Sequence, residues 1–292
     1  MVIRITALVA FVAFLISPSA LASNCHASKM IEKELSRADF SVLEINVLAG
    51  YLEIRPSKDD NIHFSGRACT SDKKWLEYIT LDVDKKGDTL TLTLIIPYEA
   101  SFFHATYSHV DVEVEVPANL ATRVRDSSGD IHIEGVSVTS IDDSSGNILA
   151  RNNLSELAIN DSSGNIEIKK IRGNLHIKDS SGDINIRNVI GSVQIPRDSS
   201  GEIDIDTVSG SVNIGRDGSG GITIRDVSGD VEVGSDGSGN IKIRDIIGNV
   251  IIGNDGSGLL NIANVSGDLD VHAKGSGDIS TRGIKGKTAL PR

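Results

Sequence analysis

A four-residue block, Asp-Ser-Ser-Gly or Asp-Gly-Ser-Gly, ends at Gly129, Gly146, Gly164, Gly182, Gly201, Gly220, Gly239 and Gly258, and a Lys-Gly-Ser-Gly version ends at Gly277. Successive glycines are 17, 18 and 18 residues apart, then 19 throughout. A period this steady is the mark of a repeat architecture, and it has to be recognised before elements are assigned one at a time. A disordered Gly/Ser tract is excluded because the positions between the glycines are strictly patterned.

Two residues after each glycine stands an aliphatic: Ile131, Ile148, Ile166, Ile184, Ile203, Ile222, Ile241, Leu260 and Ile279. Two further on come Ile133, Ala150, Ile168, Ile186, Ile205, Ile224, Ile243, Ile262 and Thr281. This period of two predicts a strand with one buried face. A third column, seven after the glycine, holds Val136, Ile171, Val189, Val208, Val227, Ile246, Val265 and Ile284, with Asn153 departing. A second glycine, at Gly135, Gly173, Gly191, Gly210, Gly229, Gly248 and Gly267, opens a second alternating strand such as Val212-Asn213-Ile214.

Two short strands cannot bury an apolar face alone, whereas stacked identical units bury a continuous ladder. The fold class expected is all-β: a single-stranded parallel β-solenoid of about 18–19 residues per coil, right-handed by the bias of parallel crossovers. Nine coils at one strand spacing each would make a rod about 43 Å long. An antiparallel sandwich would not require the same residue at the same place in every unit. Aromatics are only 4% of the chain, so the interior must be aliphatic, and β-branched Ile and Val suit a stacked sheet.

The segment before the repeat divides in two. Residues 1–22 read as a cleavable secretory signal, with Arg4, the apolar run Ile5 to Ile16, and Ala20-Leu21-Ala22 before Ser23. That run is short of the roughly 20 residues a spanning helix needs, and no later stretch supplies one. Residues 23–120 form an irregular β region with insertions, in which Leu52-Glu53-Ile54 after Gly50 repeats the coil motif. Thr89 to Ile96 faces Ile79 to Val83 across Lys85-Lys86-Gly87-Asp88, a hairpin or a looped coil, and Val110 to Val116 is a further strand. Residues 121–292 are the regular solenoid. Export gives the two cysteines an oxidising setting, so Cys25 and Cys69 are expected to pair, with a loop-closure contribution of roughly 4 kcal/mol.

Glu113-Val114-Glu115-Val116-Pro117, then Arg125-Asp126-Ser127-Ser128-Gly129-Asp130-Ile131 and reiterated Ser-Gly-Asp-Ile and Ser-Gly-Asp-Val units, resemble the bacterial putative-adhesin domain family of β-strand repeats. The resemblance covers roughly residues 40 to 290. It implies the solenoid and an adhesin-like role, and it transfers no catalytic residue.

The functional candidates follow from departures from the repeat. Tyr98, Phe102, Phe103 and Tyr107 cluster with His104 and His109, while nothing from residue 121 onward is Phe, Tyr or Trp. Such a patch suits stacking on sugars or an apolar partner, or else it covers an open end of the solenoid. Asp126, Asp143, Asp161, Asp179, Asp198, Asp217, Asp236 and Asp255 recur three residues before the corner glycines, and Lys274 ends that column. Stacked about 4.8 Å apart, neighbouring carboxylates repel by roughly 0.9 kcal/mol even in water. Capping of backbone N–H groups at each corner is the expected compensation. A calcium ladder is the alternative, disfavoured because calcium-binding solenoids carry a second Asp at fixed spacing. No cofactor is otherwise expected.

A net charge of -11 disfavours nucleic acid as a partner. The exposed positions three after the glycine share no functional group, and the partly basic ladder of Arg151, Lys169, Arg187, Arg225, Arg244 and Arg282 reads as a solvated face. The expectation is a non-catalytic exported protein, periplasmic, envelope-bound or extracellular, that binds a surface, a glycan or an envelope protein. The alternative is a polysaccharide-acting β-helix enzyme, a lyase or hydrolase.

Overall fold

The computed structural model describes residues 25–37, 39–97 and 107–291. The expected signal sequence at 1–22 and the side chains of Tyr98, Phe102, Phe103 and His104 lie outside the described residues. The chain is a parallel β-solenoid whose coils each give one strand to either of two 13-stranded sheets. Its first strands are β1 (Ala27–Ser36), β2 (Val42–Asn46), β3 (Leu52–Pro56), β4 (Asn61–Thr70), β5 (Thr80–Lys86), β6 (Thr89–Ile95), β7 (Ser108–Val116), β8 (Ala121–Arg125) and β9 (Ile131–Glu134). From there even strands add to one sheet and odd strands to the other, ending at β25 (Ile279–Ile284) and β26 (Thr288–Ala289).

The order of stacking is not the order of the sequence. One sheet runs β1-β4-β7-β3-β9, and the other runs β5-β6-β2-β8. The coil made by β6 and β7 therefore lies outside the coil made by β2 and β3, and the chain crosses back over the earlier coil to continue as β8 and β9. What reads as an insertion is a coil of its own. Antiparallel strands then cover its open side: β4 on β7, β1 on β4, and β5 in a hairpin with β6. The parallel edges of β6 and β7 are thereby occupied, and the outermost strands of the two sheets at this end are the antiparallel β5 and β1.

Inside, the aliphatic columns are stacked in register. Ile205 pairs with Ile224 and Ile224 with Ile243, and all three are buried. The third column works because the strand contains a kink that a period of two does not predict. Six residues after each corner glycine the backbone turns left-handed, at Gly135, Asn152, Lys170, Asn188, Thr207, Asp226, Asp245, Asn264 and Gly283. That turn places two consecutive side chains outward, so the seventh residue, not the sixth, points in. Gly135 thus belongs to this column and not with the second corner glycines: it stands six residues after Gly129, whereas Gly173, Gly191 and the others stand nine after theirs. Asn153, the polar member of the third column, is fully buried. Its amide substitutes for a missing coil contact, accepting from Val138 N at 2.8 Å and donating to Val138 O at 2.9 Å.

Thr207 is the costly member of the left-handed column, at φ 63° with a β-branched side chain. Thr207→Asn is expected to raise stability by about 1 kcal/mol, measured as an increase in denaturation midpoint at unchanged slope.

Candidate functional site

At the capped end, three strands gather the residues that break the repeat. Antiparallel pairing sets Cys69 opposite Ser28 on β1 and opposite His109 on β7. Cys25 and Cys69 are joined as a disulfide with Cα atoms 5.4 Å apart, which fastens the start of β1 to this corner. Immediately after β4, Asp72 caps a short 3-10 turn, Lys73–Trp75, by accepting from Lys74 N at 3.0 Å. Trp75 and Tyr78 rings lie 5.9 Å apart, with the Lys74 ammonium 5.0 Å from the Trp75 ring centroid.

The turn is held to the start of β7 by two hydrogen bonds. Ser71 N donates to Tyr107 O at 2.9 Å, and Tyr107 N donates to Ser71 Oγ at 3.1 Å. The Tyr107 and His109 rings lie 4.9 Å apart, tilted by 49°, and His109 is buried. Tyr78 and Tyr107 keep 54% and 51% of their surface exposed. The end therefore presents aromatic area, with Trp75 and Tyr78 added to the aromatics that the sequence singled out. Their signal was present, since they follow Cys69 within ten residues, but nothing in the linear order said that Ser71, just before their turn, would be hydrogen-bonded to Tyr107.

One coil inward, Tyr51 donates or accepts at 3.0 Å with His132 Nδ1 across neighbouring coils. Beside it is a hollow of about 350 Å³ lined by Tyr51, His132, Asn147, Leu149 and Glu167 among others. On the opposite corner a shallow groove of about 550 Å³ passes along successive coils between the left-handed column and Leu154, Arg172 and Ile190. Ile190 is exposed there, and Ile247 is exposed in a neighbouring hollow of about 800 Å³ that continues along the same edge past Thr207, Asp226 and Ser228.

The Asp column lies inside, not on the surface: all eight carboxyl groups are between 0 and 6% exposed. In the Ser-Ser-Gly corners one oxygen caps the turn. Asp126 Oδ1 accepts from Ser127 N at 2.7 Å and Ser128 N at 3.3 Å, and Asp143, Asp161 and Asp179 repeat that pair. Asp198 accepts from Ser199 N at 2.7 Å. In the Gly-Ser-Gly corners the strand runs on through the Asp, and Gly237 N donates instead to the Asp217 carbonyl of the coil before. Neither side-chain oxygen of Asp217 or Asp236 then has a well-formed hydrogen bond, although the Gly218 and Ser238 N–H groups and each other's carboxyl lie towards them. Asp255 is met by the buried Lys274 ammonium, 3.2 Å from Oδ2.

Burial is the main cause that raises these carboxyls, with repulsion from column neighbours adding to it. Asp143 and Asp179 are pushed up to about 6, and Asp198 and Asp236 to about 7. Asp126, Asp161 and Asp217 are raised as well, burial again leading.

Outside the column a second polar series staples coil to coil. Asp130 Oδ1 accepts from Asn147 N at 2.9 Å, Asn147 Oδ1 from Asn165 N at 3.1 Å, Asn165 Oδ1 from Asp183 N and Asp183 Oδ1 from Glu202 N, both at 2.9 Å. Where the position just after the glycine is Asp or Asn, as again at Asn240, its side-chain oxygen accepts the next coil's N–H, and Glu202, Gly221 and Leu259 interrupt the series. From Arg151 to Arg244 the basic ladder is likewise paired, Arg225 reaching Asp206 at 3.0 Å and Asp204 at 3.1 Å.

Among the described residues, no group of three or more His, Cys, Asp or Glu is arranged to hold a metal, and no helix is long and apolar enough to cross a membrane. No curated protein matches the chain. Three solved structures similar to it are a putative cell adhesion protein of Clostridium sporogenes, and a putative adhesin and a putative lipid binding protein of Parabacteroides distasonis. The first is 14% identical with a TM-score of 0.34, covering 76% of this chain and 100% of that one. The second is 16% identical at 0.37, covering 87% and 97%. The third is 19% identical at 0.35, covering 91% and 98%. The profile of one family, described as Toastrack DUF4097, matches residues 40–282, from the coil of β2 and β3 to the last strand of the glycine-cornered stack. The chain belongs to the Toastrack DUF4097 family.

Proposed function

We propose that this chain is a non-catalytic, exported rod with an adhesin-like binding or scaffold role at the bacterial envelope or outside the cell, and that its aromatic end meets the partner. The observation that carries this is the segregation of chemistry: Tyr78 and Tyr107 lie exposed at the capped end, while the coils from residue 121 on have no aromatic at all. An aromatic ring presents a large rigid apolar area at small entropic cost, suited to a sugar face or an apolar surface. The Cys25–Cys69 bond supports an oxidising compartment.

A polysaccharide-acting enzyme would need an acid and a base converging on one bond. The carboxyls of the repeat are instead laid out in columns, and the recurrent one is closed to a substrate by burial. The test is to express the full chain with its leader, fractionate the cells, and measure retention on purified envelope material together with depolymerisation of envelope polysaccharide. The expected result is an oxidised Cys25–Cys69 pair outside the cytoplasm and saturable retention without cleavage. Cytoplasmic residence, or polysaccharide cleavage, would overturn the reading.

A further inference from the structure

We propose that the interior Asp column is a proton ladder, in which neighbouring carboxyl groups share protons along the rod so that the solenoid takes up protons as it folds and tightens in mild acid. The geometry leaves little choice. Eight carboxyls occupy one buried column, at one strand spacing of about 4.8 Å, and one buried ammonium faces them. Each of Asp126, Asp143, Asp161, Asp179 and Asp198 spends Oδ1 on its corner and leaves Oδ2 buried and unpartnered. Asp217 and Asp236 leave both oxygens so. A carboxylate cannot stay ionised without partners in such a place, whereas a protonated carboxyl gains an O–H donor to offer to the oxygen of the next coil.

Nothing else in the surroundings can supply the missing charge. The corners contribute backbone N–H groups, and the inward residues on either side, such as Ile214 and Ile222 about Asp217, are apolar. Val47 takes the column position before Asp126, and Lys274 the position after Asp255. The charges that act on Asp143, Asp179, Asp198 and Asp236 are those of their own neighbours in the column. The acids are arranged in single file, which suits a proton passed between pairs better than a cation, which needs several oxygens converging on one point.

The direction of the pH dependence follows. These groups hold protons more tightly folded than unfolded, so their contribution is complete below the unfolded carboxyl value of about 4 and is lost as pH rises through 6 to 7. Asp59, Asp72 and the partly buried Asp206 are held below the usual range and act oppositely, but only in stronger acid. Thermal melts of the full chain at fixed ionic strength should therefore rise from pH 8 to pH 5 by roughly 10 °C or more. Infrared spectra at pH 7 should contain a protonated-carboxyl band that Asp198→Asn weakens. That variant keeps an acceptor for Ser199 N and adds a donor for its neighbour, so it should melt higher than the parent at pH 8 and no higher at pH 5. A melt that is flat or falls from pH 8 to 5, or the absence of the protonated band, would overturn the proposal. So would millimolar calcium at pH 8 restoring the full pH 5 stability, which would make the column a cation site.

Discussion

Gly220→Ala is expected to remove at least about 4 kcal/mol of stability, enough to lower the melting temperature by about 10 °C or to prevent soluble folding. The reason is geometric and needs no estimate of packing. Gly220 has φ 137°, and a Cβ placed on it would overlap the carbonyl oxygen of Gly201 in the coil before. The same holds along the corner column from Gly129 to Gly277. Backbone stacks on backbone there, and each N–H is committed, Gly220 N donating to Ser238 O at 3.0 Å. Relief would require separating two coils and breaking their ladder on both sides. Gly87 gives the control. Its φ is 59° in the β5–β6 hairpin, but a Cβ would meet nothing within 4 Å, so Gly87→Ala should cost only about 1 kcal/mol. Chemical denaturation of the two variants side by side measures the difference, and near-equal midpoints would show that the corners are not in contact.

Ile224→Asp should cost roughly 4 kcal/mol or more at pH 8, by removing a buried aliphatic and placing a carboxylate between Ile205 and Ile243. Unlike the native Asp column, that site has no corner N–H to offer. The loss should be smaller at pH 5, where the new group can fold protonated. Asn261→Asp, exposed and flanked by Lys242 and Ser280, should change stability by no more than about 0.5 kcal/mol. A soluble Ile224→Asp protein with an unaltered denaturation midpoint would mean that the inward column is misassigned.

Much of the fold is legible in the sequence because a solenoid repeats its physics. Ile203, Ile205 and Val208 recur as Ile222, Ile224 and Val227, so one coil's pattern is evidence for every other. The left-handed column was not legible, because Asn152, Lys170, Thr207 and Asp226 share a backbone conformation and no side-chain chemistry. Asx positions such as Asn147 looked like drift since their common function is one oxygen, which Asp and Asn supply equally. The stacking order of the first coils was hidden too: Gly50 sits against Gly129 in space, while β4 to β7, which come between them in sequence, stack on the far side of the coil of β2 and β3. For the aromatic end, sequence located Tyr107, but its bonding to Ser71, at the start of the segment that carries Trp75 and Tyr78, depends on antiparallel pairing of β4 with β7. Such pairing joins distant segments and leaves no periodic trace.

The central claim is that recognition sits at one end of an otherwise uniform rod, and paired variants test it most directly. Tyr78→Ser with Tyr107→Ser alters the exposed aromatic end, while Ile190→Ser with Ile247→Ser alters the exposed apolar residues of the side groove, each pair lying on the surface. Both proteins should melt within a few degrees of the parent. In retention on purified envelope material, the account predicts at least about tenfold weaker binding for the tyrosine pair, equivalent to about 1.4 kcal/mol, and unchanged binding for the isoleucine pair. Full retention by the tyrosine pair with loss in the isoleucine pair would contradict it and move the binding site to the side of the rod.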